Sequence, residues 1–499
     1  MLAQAFLFSV ILQAAADTLI LSPQAQVPGN ASSLINSSFI GLAFEACSLP
    51  DYANASNTFS HNLVQNIVDR IGTRPVVRIG GTSLDHSFYN RSLNTWADIP
   101  GNNDSGVVKN VTFGPPFFDI LANWSNVTYT IECPLAYLDL NQTLEFAEDA
   151  YRILGPDKIS AFEIGNEPDL YTVAGPDRPQ GYGPQQWVEE WTNYSTAISN
   201  ALNLSTSERN FQTLELSGNT AGWGAQDVFP DGLDNITQRI SSTAYHYYDL
   251  QGSGDTELQG QLMNHTFTRN KMAYVADAAS WLKTNHPDIP LMLNEVGSGE
   301  ENNLTLVASF GAALWLADYM LYNMAIGVAR VNYQQGTGFA FNLWQSTASD
   351  GRVPEVMPIY YGMLFAADFV GESGDMQVVE IGGQRDTLAA YAAYQGGNLT
   401  KVAIVNLEAW EEGATRPSTN VTLQVPDGVQ NVTVQRLAST VGAAGLNPEN
   451  VTWAGQVYTK ANNGLGQLVG SSSESVNVQG QNASLIVNAS EAVVIHIVS

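Results

Sequence analysis

Short β-rich runs alternate with helix-like stretches along the first 370 residues, and this alternation constrains the fold more than any other feature. The eight runs cover residues 39–46, 75–81, 127–135, 158–167, 211–218, 241–248, 290–297 and 327–334. Helix-like stretches with apolar residues every three or four positions lie at 144–154, 186–202, 271–284, 304–324 and 358–369. Largely apolar strands that alternate with helices are typical of parallel sheets. The pattern predicts a (β/α)8 TIM barrel, with a doubly wound sheet as the second possibility.

The pattern changes at about Val370, where helical periodicity ends. Short alternating runs separated by Gly, Asn and Pro follow, at 387–394, 401–410, 420–425, 431–438, 484–489 and 492–499. They predict a C-terminal antiparallel β-sandwich domain, whereas the Gly- and Ser-rich stretches of residues 442–475 predict loops. The expected division is a signal peptide at 1–16, an N-terminal strand joining the sandwich within 17–36, the barrel at 37–370 and the sandwich at 371–499.

The N-terminal segment and the glycosylation sequons predict a secreted protein. The apolar run at residues 2–12 is too short to span a bilayer, and it ends in Ala14-Ala15-Ala16, which is typical of a signal peptide cleavage site. No later apolar run is long enough for a membrane span. About twenty Asn-x-Ser/Thr sequons predict an extracellular, N-glycosylated protein, among them Asn30, Asn54, Asn110, Asn264 and Asn431.

Net charge and the rare residue types restrict the possible partners. The formal net charge of −28 makes nucleic acid and anionic membranes poor partners. Two cysteines, Cys47 and Cys133, are too few for a disulfide framework, and whether they pair stays open. The six histidines have no ligand-like spacing, so we expect neither a metal nor a cofactor. The oligomeric state stays open as well.

Two strands of the predicted barrel end on a glutamate. In FEIGNEPDLY, residues 162–171, Pro168 cannot continue a sheet ladder, so strand four ends at Glu167. Strand seven ends in LMLNEVGSG, residues 291–299, which carries Glu295. Parallel barrels place their chemistry at the carboxyl ends of the strands. A pair of carboxyl groups there suits glycoside hydrolysis, with one protonated acid and one ionised nucleophile about 5–5.5 Å apart in a retaining enzyme.

Other strand ends supply polar groups for the same mouth. Arg78 lies inside apolar strand two, so it requires a buried partner, either a catalytic carboxylate that it keeps ionised or a structural acid. His246 and Tyr248 end strand six, and a tyrosine there suits a bond to the nucleophile or to a sugar hydroxyl. Glu45 ends strand one and is a further candidate for contact with substrate.

Five motifs resemble glycoside hydrolase family 79, the family of heparanase and the fungal β-glucuronidases. They are RIGGT (78–82), EIGNEP (163–168), YHYY (245–248), LNEVGS (293–298) and QQGTGFAFNLWQ (334–345). The resemblance runs from the first strand to the C-terminal sandwich and implies a retaining mechanism. By motif match it makes Glu167 the acid/base and Glu295 the nucleophile. It also implies that Asn166 bonds the sugar 2-hydroxyl and that Tyr248 lines a uronic-acid pocket.

The chain departs from this family just after the proposed nucleophile. Family members often have a Tyr-Gly pair there, whose backbone holds the substrate carboxylate, whereas residues 296–301 of this chain are VGSGEE. The donors that we expect to replace that pair are Tyr248, Tyr333 and the backbone N–H groups around Gly297 and Gly299. The strand-eight tyrosine of the family corresponds either to Tyr333 or to the position of Phe339.

Together these observations predict a secreted retaining exo-β-glycosidase that acts on a carbohydrate by double displacement. A β-glucuronidase that removes terminal glucuronic acid from glycans is favoured. Two alternatives stay open, which are a related barrel glycosidase for a neutral sugar and a glycan-binding protein that has lost catalysis. The glycan on which the enzyme acts and the linkage that it cleaves are left open.

Overall fold

The computed structural model describes residues 17–101, 108–173, 177–205, 208–250, 257–300, 303–349, 351–382 and 385–497. The predicted signal peptide at residues 1–16 lies outside these ranges. Within them, no helix combines the length and the apolar character that crossing a membrane requires.

Eight parallel strands close into a barrel in which each strand pairs with its neighbours in chain order and strand eight pairs with strand one. Barrel strands one to eight are Ile40–Glu45, Val76–Gly80, Thr128–Cys133, Ile159–Ile164, Phe211–Leu216, Ile240–Leu250, Leu291–Gly299 and Arg330–Gln335. The predicted (β/α)8 barrel is therefore confirmed, and each of the eight β-rich runs forms one of its strands.

Helices cover the outside of the barrel. The described α-helices are Leu49–Ala53, Thr58–Ile71, Thr82–Asp85, Pro116–Ala122, Leu140–Leu154, Pro184–Leu202, Ala225–Val228, His265–Lys271, Ala273–Asn285, Leu304–Val307, Phe310–Ile326 and Tyr360–Val370. The described 3-10 helices are Ser37–Phe39, Pro156–Lys158, Pro168–Leu170, Leu233–Arg239 and Pro448–Asn450. Two predicted helices are divided, the first at Met272 and the second at Ala308 and Ser309. Ser309 begins a new helix because its side chain accepts a hydrogen bond from the N–H of Ala312.

Small sheets lie in the loops of the barrel. Ser87–Tyr89, Ala97–Asp98 and Val111–Phe113 form a three-stranded sheet after strand two. Trp344–Gln345 and Glu355–Val356 form a hairpin after strand eight. This hairpin carries the segment that closes one side of the barrel mouth.

The C-terminal domain is a sandwich of two layers. One layer contains Asp17–Leu21, Ser418–Gln424 and Asn482–Asn488, and the other contains Met376–Ile381, Leu388–Gln395, Asn398–Asn406, Asn431–Ser439 and Glu491–Ile497. Glu474–Gln479 pairs with both layers. The layers share one apolar core that includes Leu21, Ile404, Val421 and Val493. Pairing is antiparallel except for the first strand, which runs parallel to Ser418–Gln424.

Three short strands extend the second layer within residues 442–475. They are Val451–Trp453, Gln456–Tyr458 and Gly466–Leu468. The prediction of loops for this stretch is wrong at these strands. Gly455 and Gly464 have positive φ angles of 70° and 76°, so the glycines of this stretch mark turns between strands.

The barrel and the sandwich share a continuous core. Helix Phe310–Ile326 is apolar on nearly all its faces and is buried along most of its length. It packs against sandwich strands Met376–Ile381, Leu388–Gln395 and Asn398–Asn406. A helix that is apolar all round requires burial on every side, and the sandwich covers the face that the barrel leaves open.

A buried ion pair crosses the contact between barrel and sandwich. The ring of His265 lies between Asp318, 2.9 Å from Nδ1, and Glu380, 3.2 Å from Nε2. Burial alone would lower the pKa of His265, but the two carboxylates raise it to about 10. Burial opposes the shift of Glu380, yet His265 and Arg269 hold its pKa below the ordinary value.

We expect His265→Gln to lower the free energy of unfolding by about 3–5 kcal/mol at pH 6, because it leaves buried carboxylate charge without its partner. The contribution of His265 is complete below its unfolded pKa of about 6.5 and is lost as the pH rises through about 10. The contribution of Glu380 is present above about pH 4.3 and is lost as the pH falls through its lowered pKa. Urea titrations at pH 6 and pH 10 measure the difference, which should shrink at pH 10. His286→Gln, at a more exposed pair, serves as the control, and an equal loss in both variants would contradict the prediction.

Cys47 and Cys133 are both buried, and no disulfide joins them in the described structure. The question that the sequence left open is therefore answered against a disulfide between them.

Candidate active site

A cavity of about 480 Å³ lies at the carboxyl ends of the barrel strands. Its size falls in the range that is usual for small-molecule sites. The described residues that line it are Glu45, Thr82, Asn166, Glu167, Tyr248, Glu295, Glu300, Gln334, Gly338, Phe339, Ala340, Phe341 and Arg352. The two glutamates that the strand ends predicted thus face one cavity.

The backbone around Glu167 is held by the neighbouring strand. Glu167 has a φ of 49°, in the left-handed region, and it immediately precedes the 3-10 helix Pro168–Leu170. Its N–H donates to the carbonyl of Glu215, at 2.9 Å, and the Asp169 carboxylate accepts from the N–H and hydroxyl of Ser217. A non-glycine residue persists in this conformation only where its surroundings hold it. The carboxyl of Glu167 therefore has a fixed direction, and 21% of its side chain remains exposed.

Both carboxylate oxygens of Glu295 accept a hydrogen bond. The Arg78 guanidinium donates from Nη1 to Oε2 at 2.6 Å, and the Tyr248 hydroxyl donates to Oε1 at 2.6 Å. The side chain of Glu295 is only 9% exposed. Charge-assisted bonds to both oxygens orient the carboxylate and favour its ionised form.

His246 connects the two glutamates from below the cavity. Its Nδ1 lies 3.0 Å from Glu167 Oε1 and 3.9 Å from Glu295 Oε2, and its Nε2 lies 3.4 Å from Glu215 Oε2. One oxygen of Glu167, one oxygen of Glu295 and one ring nitrogen of His246 lie within 4.8 Å of each other. The three side chains therefore act on one another electrostatically.

The environments of the two glutamates move their pKa values apart. Burial raises the pKa of Glu167 above its ordinary value, although the bond from His246 opposes the shift. Burial alone would also raise the pKa of Glu295, but the cations of His246 and Arg78 outweigh it and hold the pKa below its ordinary value. Burial would lower the pKa of His246, yet the carboxylates, Glu295 first, raise it to about 10. One acid protonated and the other ionised is the division of roles that acid–base catalysis requires.

Arg78 lies at the centre of a buried group of carboxylates. Besides Glu295, its guanidinium donates to Glu163 at 2.5 and 2.8 Å, to Glu132 at 2.9 Å and to the side-chain carbonyl of Asn166 at 2.9 Å. The side chains of Arg78, Glu132 and Glu163 are fully buried. Arg78 therefore has partners of both kinds that the sequence left open, a candidate catalytic carboxylate and structural acids.

Three buried acids near the site were not predicted from the sequence. Glu132, Glu163 and Glu215 lie inside apolar barrel strands three, four and five. Glu215 has a φ of 51° and contacts Gln212 and Asn294 as well as His246. A charge inside an apolar run was the signal that singled out Arg78, and the same signal was present for these acids.

Two further predicted residues line the cavity. Glu45 accepts a hydrogen bond from the N–H of Ser83 at 2.7 Å, and burial together with repulsion from Glu295 raises its pKa to about 8. Asn166 is held by its bond from Arg78, beside Glu167. A protonated Glu45 can donate to a ligand without adding negative charge.

Four predicted contact residues do not lie in the cavity wall that the described residues form. Tyr333 is fully buried, and its hydroxyl donates to the carbonyl of Phe341 at 2.7 Å. Gly297 and Gly299 pair with Tyr248 and Leu250, and a Cβ atom on Gly297 would lie 2.6 Å from the Tyr248 ring, which covers it. His246 is likewise beneath the wall. None of these four lines the cavity among the described residues, so their contact with substrate stays a prediction.

The other wall of the cavity comes from the segment that follows strand eight, together with Glu300. Gly338, Phe339, Ala340, Phe341 and Arg352 all belong to this segment. Gln334, rather than its neighbour Tyr333, is the strand-eight residue that faces the cavity. Of the two family positions considered for the strand-eight tyrosine, the one occupied by Phe339 is the one in the wall.

Comparison with known proteins agrees with this architecture. Residues 390–494 match the glycosyl hydrolase family 79 C-terminal beta domain. Two curated relatives, each named beta-glucuronidase, come from Aspergillus niger and Neurospora crassa and are 29% and 28% identical to this chain. The first alignment covers 87% of this chain and 85% of that protein, and the second covers 91% and 90%. The chain is therefore similar to glycoside hydrolase family 79, and its C-terminal residues match that family's domain.

Solved structures share the fold of this chain. A 4-O-α-L-rhamnosyl-β-D-glucuronidase from Fusarium oxysporum superposes with a TM-score of 0.84 at 22% identity, over 96% of this chain and all of that one. A family 51 arabinofuranosidase from Xanthomonas axonopodis pv. citri superposes with a TM-score of 0.63 at 14% identity, over 96% and 99%. The family resemblance seen in the sequence motifs is confirmed.

Glu167, His246 and Glu295 are residue types that can hold a metal ion, and their ligand atoms are close together. A cation there would lie beside Arg78 and would have to displace the proton from His246, whose pKa is about 10. These charges favour an acid–base pair over a metal centre at this position.

Proposed function

We propose that this chain is a retaining exo-β-glucuronidase that hydrolyses terminal glucuronic acid by double displacement. The observation that carries the proposal is the pair Glu167 and Glu295, which face one cavity with pKa values shifted in opposite directions. The named β-glucuronidase relatives supply the sugar class.

The spacing of the two acids supports retention of configuration. One oxygen of each carboxyl group lies within 4.8 Å of the other. Retaining glycosidases hold their two carboxyl groups about 5–5.5 Å apart, whereas inverting enzymes leave about 6.5–9.5 Å for a water molecule. Glu295 is therefore close enough to attack the anomeric carbon directly.

In the first step, Glu295 forms a bond to the anomeric carbon, the glycosidic bond from that carbon to the leaving oxygen breaks, and Glu167 transfers its proton to that oxygen. Arg78 and Tyr248 hold the Glu295 carboxylate in position. When Glu295 becomes an ester it loses its negative charge, so its attraction to His246 and Arg78 becomes weaker. They keep their contacts with the other buried acids, so the site remains ordered.

In the second step, Glu167 is ionised and removes a proton from water, which attacks the anomeric carbon of the glycosyl-enzyme. The bond to Glu295 breaks, and the sugar leaves with its original β-configuration. Protonated His246 donates to Glu167 Oε1, so it stabilises the ionised acid between the two steps.

Secretion and N-glycosylation form part of the proposal. The side chains of four sequon asparagines are exposed, as attachment of an oligosaccharide requires. They are Asn30, Asn54, Asn110 and Asn431. Treatment of the purified protein with a glycan-removing amidase should lower its mass if these sites carry glycans.

A panel of 4-nitrophenyl β-glycosides tests the function. We expect the glucuronide to be hydrolysed with the highest kcat/KM and β-glucuronic acid to appear first in NMR spectra. Faster hydrolysis of the glucoside or galactoside would replace the glucuronidase proposal with the neutral-sugar alternative. That alternative has support from the four glutamates in the cavity wall, Glu45, Glu167, Glu295 and Glu300, which disfavour an anionic sugar. Binding without turnover of any glycoside would identify a glycan-binding protein.

The pH dependence of kcat/KM should be bell-shaped, with both limbs set by the pair of glutamates. Activity requires ionised Glu295, whose pKa lies below the ordinary value, so the midpoint of the acid limb should lie below about pH 4.3. It also requires protonated Glu167, whose pKa lies above the ordinary value, so the midpoint of the alkaline limb should lie above about pH 4.3. Initial rates measured from pH 2 to pH 9 give both limbs. A profile that rises continuously to neutral pH would contradict the assignment of Glu167 as the acid.

A further inference from the structure

Arg352 is a cation in the cavity wall that the sequence did not predict there. Among the described residues of the wall, Arg352 is the one positively charged side chain, and it faces a wall with four glutamates. Raised pKa values leave Glu45 and Glu167 largely protonated in acid, and the charge of Glu295 is matched by Arg78. Most of the negative charge of the wall is therefore removed or matched, and Arg352 supplies the positive charge that an anionic substrate meets there.

The structure fixes the position of Arg352 at the cavity. Its backbone exchanges two hydrogen bonds with Ser349, at 2.8 and 3.2 Å, just before the hairpin strand Glu355–Val356. Its Nη1 donates to the carbonyl of Gly338 at 2.9 Å, and Gly338 also lines the cavity. The guanidinium is thereby anchored at the rim, with a planar fork of N–H groups that matches the geometry of a carboxylate.

The geometry of a pyranose ring places its carboxylate on this side. Carbon 2 and carbon 5 lie opposite each other in the six-membered ring, and the carboxylate of a uronic acid is attached to carbon 5. The motif resemblance assigns Asn166, just after strand four, to the 2-hydroxyl. Strands four and eight are opposite each other in an eight-stranded barrel, and Arg352 follows strand eight.

We infer that Arg352 binds the carboxylate of the uronic acid and sets the preference for glucuronide over glucoside. The inference rests on the proposed glucuronidase function and names the residue that reads the acid group. It takes the place of the backbone and tyrosine donors expected from the sequence, because Tyr333, Gly297 and Gly299 do not line the described cavity.

The test compares Arg352→Gln and Arg352→Lys with the unmutated protein on 4-nitrophenyl β-glucuronide and β-glucoside. We expect Arg352→Gln to lower kcat/KM for the glucuronide by about 10- to 100-fold, the loss of hydrogen bonds to a charged group. Most of the change should be in KM, and kcat/KM for the glucoside should change less than about threefold. Arg352→Lys should lie between, because it keeps the charge and loses the fork.

Arg152→Gln is the matched control, since Arg152 lies on an outer barrel helix with 66% of its side chain exposed. It should leave both substrates unchanged. Equal losses on glucuronide and glucoside in Arg352→Gln would show a structural role for Arg352 in holding its loop and would overturn the inference.

Binding of free sugar separates this inference from the proposed function. D-glucuronate should raise the melting temperature of the unmutated protein more than D-glucose does, and Arg352→Gln should abolish that difference. If the unmutated protein cleaves the glucoside faster yet keeps an Arg352-dependent preference for glucuronate, the proposed function fails and the assignment of Arg352 stands. If glucuronide is cleaved well and Arg352→Gln changes neither its turnover nor glucuronate binding, the assignment fails and the function stands.

Discussion

Replacing Glu295 with glutamine is expected to lower kcat on every β-glycoside by about 10⁴-fold or more. The amide cannot form the glycosyl-enzyme, because it is neutral and a poor nucleophile. The loss should be independent of the leaving group, since no other described carboxylate in the cavity lies as close to Glu167 with a pKa below its ordinary value. Steady-state rates on 4-nitrophenyl and methyl glycosides measure the effect. Peptide mass spectrometry after reaction with a 2-deoxy-2-fluoro glycoside should locate the trapped sugar on Glu295 of the unmutated protein.

The fold of Glu295→Gln should persist, because Arg78 keeps its bonds to Glu132 and Glu163. Glu148→Gln is the control, since Glu148 lies on an outer helix with 40% of its side chain exposed, and its kcat should be unchanged. A residual kcat of Glu295→Gln above about one hundredth of the unmutated value, with the sugar trapped on another residue, would reassign the nucleophile.

The barrel could be predicted from the sequence because its strands are separate apolar runs with helices between them. Strand four, for example, is a largely apolar run, although it ends at Ile164 and not at the predicted Glu167, because Gly165 takes a left-handed φ of 78°. Helix ends also followed local rules, as where Asn57 caps a helix and Gly72 ends it with a left-handed φ of 65°. Where short strands lie between glycines, as in residues 442–475, the apolar runs were too short to be recognised.

Residues at the ends of strands could be assigned to the mouth of the barrel, but which of them face the cavity could not. Neighbouring residues of a strand point to opposite faces, so the choice of Gln334 rather than Tyr333 depends on a shift of one residue. Strand six has an irregular register between Tyr245 and His246, which local sequence does not reveal. The depth of a side chain below the cavity could not be predicted either. His246 and Tyr248 are two residues apart and so face the same side of strand six, yet only Tyr248 lines the cavity.

Arg352 could not be predicted at all, for a different physical reason. It lies in the irregular connection between strand eight and the last barrel helix, where no periodicity relates sequence position to direction. Its position is set by hydrogen bonds with Ser349 and Gly338, and neither contact could be inferred before the fold was known. The two acids lie in or just after regular strands, whereas Arg352, the proposed selectivity residue, lies in a loop.

Replacing Glu167 with alanine should slow hydrolysis by about 10²- to 10⁴-fold, and the loss should depend on the leaving group. 4-Nitrophenolate is a good leaving group that departs without protonation. The rate of the first step should therefore change little, and the glycosyl-enzyme should accumulate. Alkyl glycosides, whose leaving oxygen must be protonated, should lose the most. Stopped-flow measurement should then show a burst of 4-nitrophenol followed by slow turnover.

Azide distinguishes this role from that of Glu295 by stereochemistry. In Glu167→Ala, azide should enter the space of the missing carboxylate, attack the glycosyl-enzyme without base assistance and give a β-glycosyl azide. In Glu295→Ala, azide can act only from the side of the missing nucleophile, so any product should be the α-glycosyl azide. Proton NMR of the anomeric signal separates the two products. A β-azide from Glu295→Ala, or an α-azide from Glu167→Ala, would reverse the assignment. That result would conflict with the directions of the pKa shifts, which favour an ionised Glu295 and a protonated Glu167.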